Sequence, residues 1–407
     1  MRRLAGERLA VVVTAVAVAL LPLAVPEGPA NIAPNVGFIA AAVITCLLWA
    51  TTVGFRWRFP YAIPVALILV GGAVAGLVGA VPTAGVIALV QDIVLIVWCW
   101  AVVNISHSAA NLRLLLATWT YSAIGWAIVA FVGLATGSSV LTGEIERQGT
   151  RLQLTLNDPS YTANYFFISM MIMWATRRPT HRALRYVAYA MFLGAIAATG
   201  SNSGIVAVVV GTAVASVLAL YRRYGAAPAV AASALIVLCA YALASTISLS
   251  SIQASAADSR YAFVRQGLGR SPDSAGQREN LLHESIQLYQ RGSPLGEGPV
   301  STKPRLRREQ APLIKEAHDD YFAALIERGP IGFIGVLLLV CSVALRGLFV
   351  TRARLAGGFA ATIVRPNALV GALAGTLVGS VVYELLHVRH IWTLFAFVAA
   401  VSIWGRE

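Results

Sequence analysis

His318 stands immediately before a pair of aspartates, Asp319 and Asp320, where a stretch crowded with arginines runs into an apolar segment. A histidine on an apolar helix face is more often structural than catalytic, but these surroundings change the reading. Nearby cations disfavour the imidazolium and leave a neutral imidazole able to accept a proton. Arginine binds phosphate in a bidentate fork and stays charged. A base beside an arginine-rich anion site suits transfer from a phosphate-linked donor to a hydroxyl, without a metal. Other polar residues carry less weight. Asp92 lies inside an apolar run, where a carboxylate is costly; function and a hydrogen bond to a neighbouring helix are equally open. Asp158, in the turn Asn157-Asp158-Pro159, is expected to cap the next helix. Glu384, His387, Arg389 and His390 cluster near the end of the chain. Their H-x-x-H spacing is not that of a structural metal site, and a salt-bridged rim is the expectation. His283 is expected to be solvated.

The elements that must position these residues are apolar. The 407 residues are 58% hydrophobic and 12% charged, with a mean hydropathy of +0.73. A soluble domain carries roughly 25% charge, so an ordinary soluble enzyme is excluded. Apolar runs near 20 residues recur from end to end and predict an all-α polytopic membrane protein with about twelve transmembrane helices. They fall at 9–26, 33–53, 61–80, 85–105, 114–136, 160–176, 187–200, 203–221, 227–248, 320–345, 366–386 and 391–404. The organisation expected is nine helices over 1–248, an extracytoplasmic loop with amphipathic helices over 249–319, and three more helices over 320–407. All four cysteines sit inside apolar runs and are expected to be buried. Gly371, Gly375 and Gly379 form a small-residue stripe for close helix packing.

Charge sets the orientation. Of 31 basic residues, 17 sit on every second connection, whereas the short connections 27–32, 81–84 and 201–202 carry none. Positive connections stay in the cytoplasm, so both termini are expected there, in a multi-pass protein of the cytoplasmic (inner) membrane. The first run resembles a signal peptide but reads as an uncleaved first helix. The net charge of +13 does not indicate nucleic acid, because no cytoplasmic connection is long enough to fold into a basic domain. The long external loop between the ninth and tenth spans holds most of the remaining cations, consistent with an anionic substrate.

Two helical passages are expected in that loop. In Glu279–Arg291, Leu282, Ile286 and Tyr289 share one face, and a cap at Asp273 or Ser274 places Arg278 near the first turn. Ser293–Pro299 (SPLGEGP) breaks the chain with a tight glycine loop. A second helix over about 313–328 carries Ile314, His318, Tyr321, Phe322 and Leu325 on one face, and Gly329-Pro330 ends or kinks it.

The stretch AHDDYFAALIERGPIG (Ala317–Gly332) resembles the hallmark of the O-antigen ligase and O-antigen polymerase superfamily. In that hallmark a histidine is followed by Asn or Asp, an aromatic, and Glu-x-Gly-x-x-Gly entering a membrane helix. His318, Asp319, Tyr321, Glu327, Gly329 and Gly332 match it. RQGTRLQLTLNDPSYTANYF (Arg147–Phe166) is similar to the family's Arg/Gly stretch before an Asn-Asp-Pro turn. GQRENLLHESIQLYQRGSPLGEGP (Gly276–Pro299) is similar to its arginine, amphipathic helix and glycine loop. The resemblance covers about residues 140–345. It implies a metal-independent membrane glycosyltransferase with no cofactor, acting on the outer face of the cytoplasmic membrane. Such an enzyme moves a glycan from a polyprenyl-pyrophosphate donor to a hydroxyl on a glycan, lipid or protein acceptor. His318 matches the acceptor-activating position and Arg278 a donor-phosphate arginine, with Arg147 or Arg151 as a second phosphate contact. Asp319, Tyr321, Glu327, Asp158 and Asn202 stand as supporting positions. One departure is plain: in TGSNSG (Thr199–Gly204), Asn202 occupies a place where the family commonly has arginine. Either Arg147, Arg151 or a loop arginine supplies that charge, or donor handling differs.

The competing class is a transporter or flippase of a lipid-linked glycan, which twelve spans and the intramembrane Asp92 permit. Against it stand the lack of a repeat or of paired broken helices and the concentration of polarity outside the membrane.

Overall fold

The computed structural model describes residues 2–24, 33–79, 82–142, 151–246, 254–255, 258–260, 286–308, 319–381 and 383–406. Among these residues the fold is all-helical, with no strand beyond an isolated bridge between Leu355 and Arg406. Each apolar run coincides with a helix. They are α1 (Arg2–Ala19), α2 (Asn35–Val53), α3 (Ala62–Val78), α4 (Pro82–Ile105), α5 (Ala109–Thr136) and α6 (Pro159–Thr176). There follow α7 (Arg182–Thr199), α8 (Asn202–Tyr224), α9 (Ala226–Thr246), α10 (Asp320–Arg352), α11 (Pro366–Gly379) and α12 (Arg389–Trp404). Five of these, α2, α4, α5, α8 and α10, are long and apolar enough to cross a membrane by length and composition.

Caps set many of the boundaries. Ser108, Asp158, Ser201 and Asp319 are extended residues whose side-chain oxygens accept from the first backbone N–H groups of α5, α6, α8 and α10. Pro159 and Pro366 occupy the first helical position of α6 and α11. Several boundaries depart from expectation: α5 and α7 begin five residues earlier than expected, and α10 runs on to Arg352. α1 takes in the N-terminal arginines expected to precede it and ends at Ala19. α11 stops at Gly379, short of the expected 386, because the following backbone turns to donate to Asp320.

Burial separates two kinds of helix. From His390 to Ser402, α12 is buried around its whole circumference, as expected of a helix apolar on every side at the centre of a bundle. Its partners are tied in by polar bonds: Trp98 of α4 donates to Thr393 at 2.8 Å. The peripheral helices instead present large apolar side chains outward, with Leu77 86%, Ile63 72% and Val237 67% exposed. Such a surface is suited to lipid rather than water. Cys46 and Cys99 are buried as expected, but Cys239 and Cys341 are exposed on this outer surface.

Glycines bring two helix pairs into backbone contact. A Cβ on Gly371 or Gly375 of α11 would lie 2.4 Å from the Gly211 or Ala207 carbonyl oxygen of α8. A Cβ on Gly71 of α3 would lie 2.4 Å from the Gly332 nitrogen of α10. Small residues permit these approaches. Both ends of the chain meet at one end of the bundle. There Glu7 of α1 accepts from Asn111 at 3.0 Å, Asn104 binds the Arg58 backbone, and Trp404 of α12 donates to the Val103 carbonyl.

Candidate active site

The opposite end collects the starts of α6, α8 and α10. A helix start carries partial positive charge and unpaired N–H groups, which suits it to anions. Here the starts are linked to one another. Ser201, the cap of α8, donates to Ser160 in the first turn of α6 at 3.1 Å. Asp158 accepts from the Ser160 and Tyr161 backbone with one oxygen and from the Tyr383 hydroxyl with the other. The expected cap is therefore real, and its second partner is a tyrosine from the 380–388 connection.

Asp319 is extended, at φ −152°, ψ 116°, and accepts from Tyr321 N at 2.8 Å and Phe322 N at 3.1 Å. Burial raises its pKa, against the lowering effect of those two donors. α10 begins at Asp320, where the tenth span was expected, because the Asp319 carboxylate can reach these N–H groups only from a non-helical backbone; of the helix expected over 313–328, residues 313–318 lie outside the described residues. Next to it, the buried Asp320 accepts from Leu385 N at 2.6 Å and from Leu386 N at 3.0 Å. Its own N–H donates to the Ser380 carbonyl. The Tyr321 hydroxyl donates to the Leu377 carbonyl and accepts from Ser380, both at 3.2 Å. Asp320 and Tyr321 are therefore fastened to the end of α11 and the connection that follows it.

Glu327 holds a second connection. Its carboxylate accepts from Val300 N at 2.9 Å and from the Thr302 hydroxyl at 2.8 Å. The Glu297 and Gly298 N–H groups bind the Ile326 and Glu327 carbonyls. The expected glycine loop is present and is seated in the expected kink. Gly329 interrupts α10 at φ 64° without ending it, and a Cβ there would meet the Leu295 carbonyl oxygen at 2.4 Å. Pro299 rests against Gly72, Gly76 and Gly85 of α3 and α4. Of the expected amphipathic helix over 279–291, residues 286–291 are described and helical. Leu288 is its buried residue, while Ile286 and Tyr289 are half-buried.

Arg328, beside the kink, pairs with Asp92 at 2.6 Å, with both side chains largely buried. Asp92 lies about 15 Å beyond the start of α4 by helical rise, so the first part of α10 dips into the bundle. Of the two readings of Asp92, bonding to a neighbouring helix is the one seen. His387 takes a 2.7 Å hydrogen bond with the Tyr161 hydroxyl. Its ring is exposed yet hemmed in by protein. The surrounding bulk lowers its pKa, Asp92 opposes this, and Arg328 and Arg389 add to it. His390 turns inward instead, its Nε2 3.2 Å from the Asn164 oxygen of α6. It is buried between helices and so does not belong to the rim expected at the end of the chain.

Arg151 is buried, and its Nε donates to the Thr199 carbonyl at 2.7 Å. That places it at the α7–α8 turn, beside Asn202, the first residue of α8. His318, Arg278 and Arg147 lie outside the described residues. Asp320, Tyr161, Tyr383 and Arg328 were not singled out from sequence. A signal existed for Arg328, since a carboxylate in an apolar run requires a cation or donor partner.

These features define a multi-pass membrane protein, all-helical among the described residues, with a polar, hydrogen-bonded cluster at the end of the bundle away from its termini. Residues 187–337 match the family model described as O-Antigen ligase, which supports the O-antigen ligase/polymerase superfamily for that part of the chain. No curated protein matches the chain. The family implies a glycosyltransferase-type activity on lipid-linked glycans.

Proposed function

We propose that the protein transfers a glycan from a polyprenyl-pyrophosphate donor to an acceptor hydroxyl at the outer face of the cytoplasmic membrane, as a ligase or a polymerase. In this reading His318 takes the proton from the acceptor hydroxyl, whose oxygen attacks the sugar carbon. The carbon–oxygen bond to pyrophosphate breaks, and the leaving group departs as polyprenyl pyrophosphate. Arg278, with Arg147 or Arg151, neutralises the charge developing on that leaving group. Twelve spans, with both termini cytoplasmic, put the starts of α6, α8 and α10 on the outer side.

The observation that carries the reading is the position of Asp319–Tyr321, within the family match. These residues follow His318 directly in the chain, and two of them, Asp320 and Tyr321, are bonded to the end of α11 and the connection that holds Tyr383 and His387. In this reading the proposed base precedes the capped start of α10 in the chain, and the capped starts of α6 and α8 lie at the same end of the bundle. Arg151, bonded to the Thr199 carbonyl three residues before Asn202, is a described arginine at the turn where the family has its own.

The test uses purified protein and a synthetic polyprenyl-pyrophosphate oligosaccharide in EDTA, following release of polyprenyl pyrophosphate. Acceptor-dependent release that disappears in His318→Ala supports the transferase. The acceptor that works separates ligase from polymerase. Tight donor binding with no release under any acceptor overturns the reading.

A further inference from the structure

The end of the bundle that holds the termini carries a second polar feature. A cleft of about 220 Å³ opens where α6 ends and α7 begins, and Arg177, Arg182, Arg185 and Arg365 line it together with Trp174 and Tyr189. No carboxylate lines this cleft, and among the described residues none of the four arginines is ion-paired. Four cations in one cleft repel each other and gain from an anion.

The four arginines come from two separate connections, and backbone bonds hold those together. The Arg365 N–H donates to the Ala175 carbonyl at 3.0 Å. Arg185 donates to the carbonyls of Arg177 and Pro179 at 2.9 and 3.1 Å, which fixes the turn. The tendency of basic residues to stay in the cytoplasm accounts for arginines at this end. It does not account for their meeting around one cavity walled by aromatic rings. The cleft also borders the apolar outer surface: Leu184, Tyr186 and Val187, in the first turns of α7, are 44%, 67% and 53% exposed.

We propose that this cleft binds the phosphate of an anionic phospholipid headgroup, with the acyl chains lying along the outer face of α7. Guanidinium groups match phosphate oxygens in a bidentate fork, and basic pockets between helices at the membrane surface suit acidic headgroups. The cleft lies about 27 Å from the Asp158 cap, one length of α6 away. The proposal therefore does not rest on the transferase reading.

The experiment is native mass spectrometry of the delipidated full-length protein, supplied separately with phosphatidylglycerol, phosphatidylcholine or inorganic phosphate. Retention of phosphatidylglycerol over phosphatidylcholine is expected. The double variant Arg182→Gln/Arg365→Gln should weaken that retention about tenfold to thirtyfold. Arg222→Gln/Arg223→Gln, at the same end on the last turn of α8, should leave it unchanged. If the double variant fails to fold, Arg182→Gln alone serves, since Arg182 is exposed in the first turn of α7. Equal retention of both lipids overturns the proposal. So does equal weakening by the two double variants, and so does inorganic phosphate binding that phosphatidylglycerol does not displace.

Discussion

Asp319 can be altered without removing its cap. Asparagine caps a helix about as well as aspartate, so Asp319→Asn should leave thermal stability nearly unchanged while removing a negative charge next to His318. Asp319→Ala should cost about 1 kcal/mol. Melting curves in detergent, paired with donor-release rates, separate the cap from the charge. A slow but stable Asn variant would assign the charge a part in the chemistry, whereas a fully active one would leave only the cap. Arg328 and Asp92 call for a different comparison. Removing one member leaves a buried charge uncompensated, at about 3–5 kcal/mol. The double variant Asp92→Asn/Arg328→Gln should therefore be more stable than either single variant, and equal or lower stability would contradict the pairing. These two cases mark what a sequence discloses at this scale. The cap at Asp158 is local and was legible from Asn-Asp-Pro. The partner of Asp92 is 236 positions away, and no local pattern points to it.

At the scale of helices, glycine has opposite consequences at different places. Gly375 stands against the Ala207 carbonyl and the Phe167 ring of neighbouring helices, both 2.4 Å from where its Cβ would lie. Gly375→Ala must push α8 and α11 apart and should lower the melting temperature. Gly125 in α5 has nothing within 4 Å of that position, and alanine is the better helix former by about 1 kcal/mol. Gly125→Ala should therefore raise the melting temperature, and the same sign for both would refute the close crossing. Glu327 joins helix to loop through several bonds. Glu327→Ala should free the 293–302 connection, shown by faster limited proteolysis there and a loss of about 1–3 kcal/mol. The kink was legible because Gly-Pro cannot continue a helix unbroken. The start of α10 was legible too, at 320, but the helical spacing that runs on through Ile314 and His318 gave no sign of the extended cap at Asp319. Periodicity reports which residues share a face, but not where a side chain prefers to satisfy the backbone.

For the whole molecule, the arrangement of polarity separates the two functional classes. A flippase must offer its polar site to both faces in turn. Here the starts of α6, α8 and α10 lie at one end, and Asp92, the carboxylate within α4, is already paired with Arg328. The arginine cleft lies at the other end, with the apolar helices between. A transferase built this way should consume donor only from the leaflet nearest the Asp158 end. In proteoliposomes of uniform orientation, with donor confined to one leaflet, release of polyprenyl pyrophosphate should occur from that side alone. His318→Ala should abolish the release without weakening donor binding, because the residues proposed to hold the donor are arginines rather than the histidine. Arg151→Gln, which keeps a donor near the Thr199 carbonyl but loses the charge, should instead weaken donor binding. Consumption from both leaflets, or transfer of donor between them in the His318→Ala variant, would favour a protein that moves the lipid-linked glycan across the membrane.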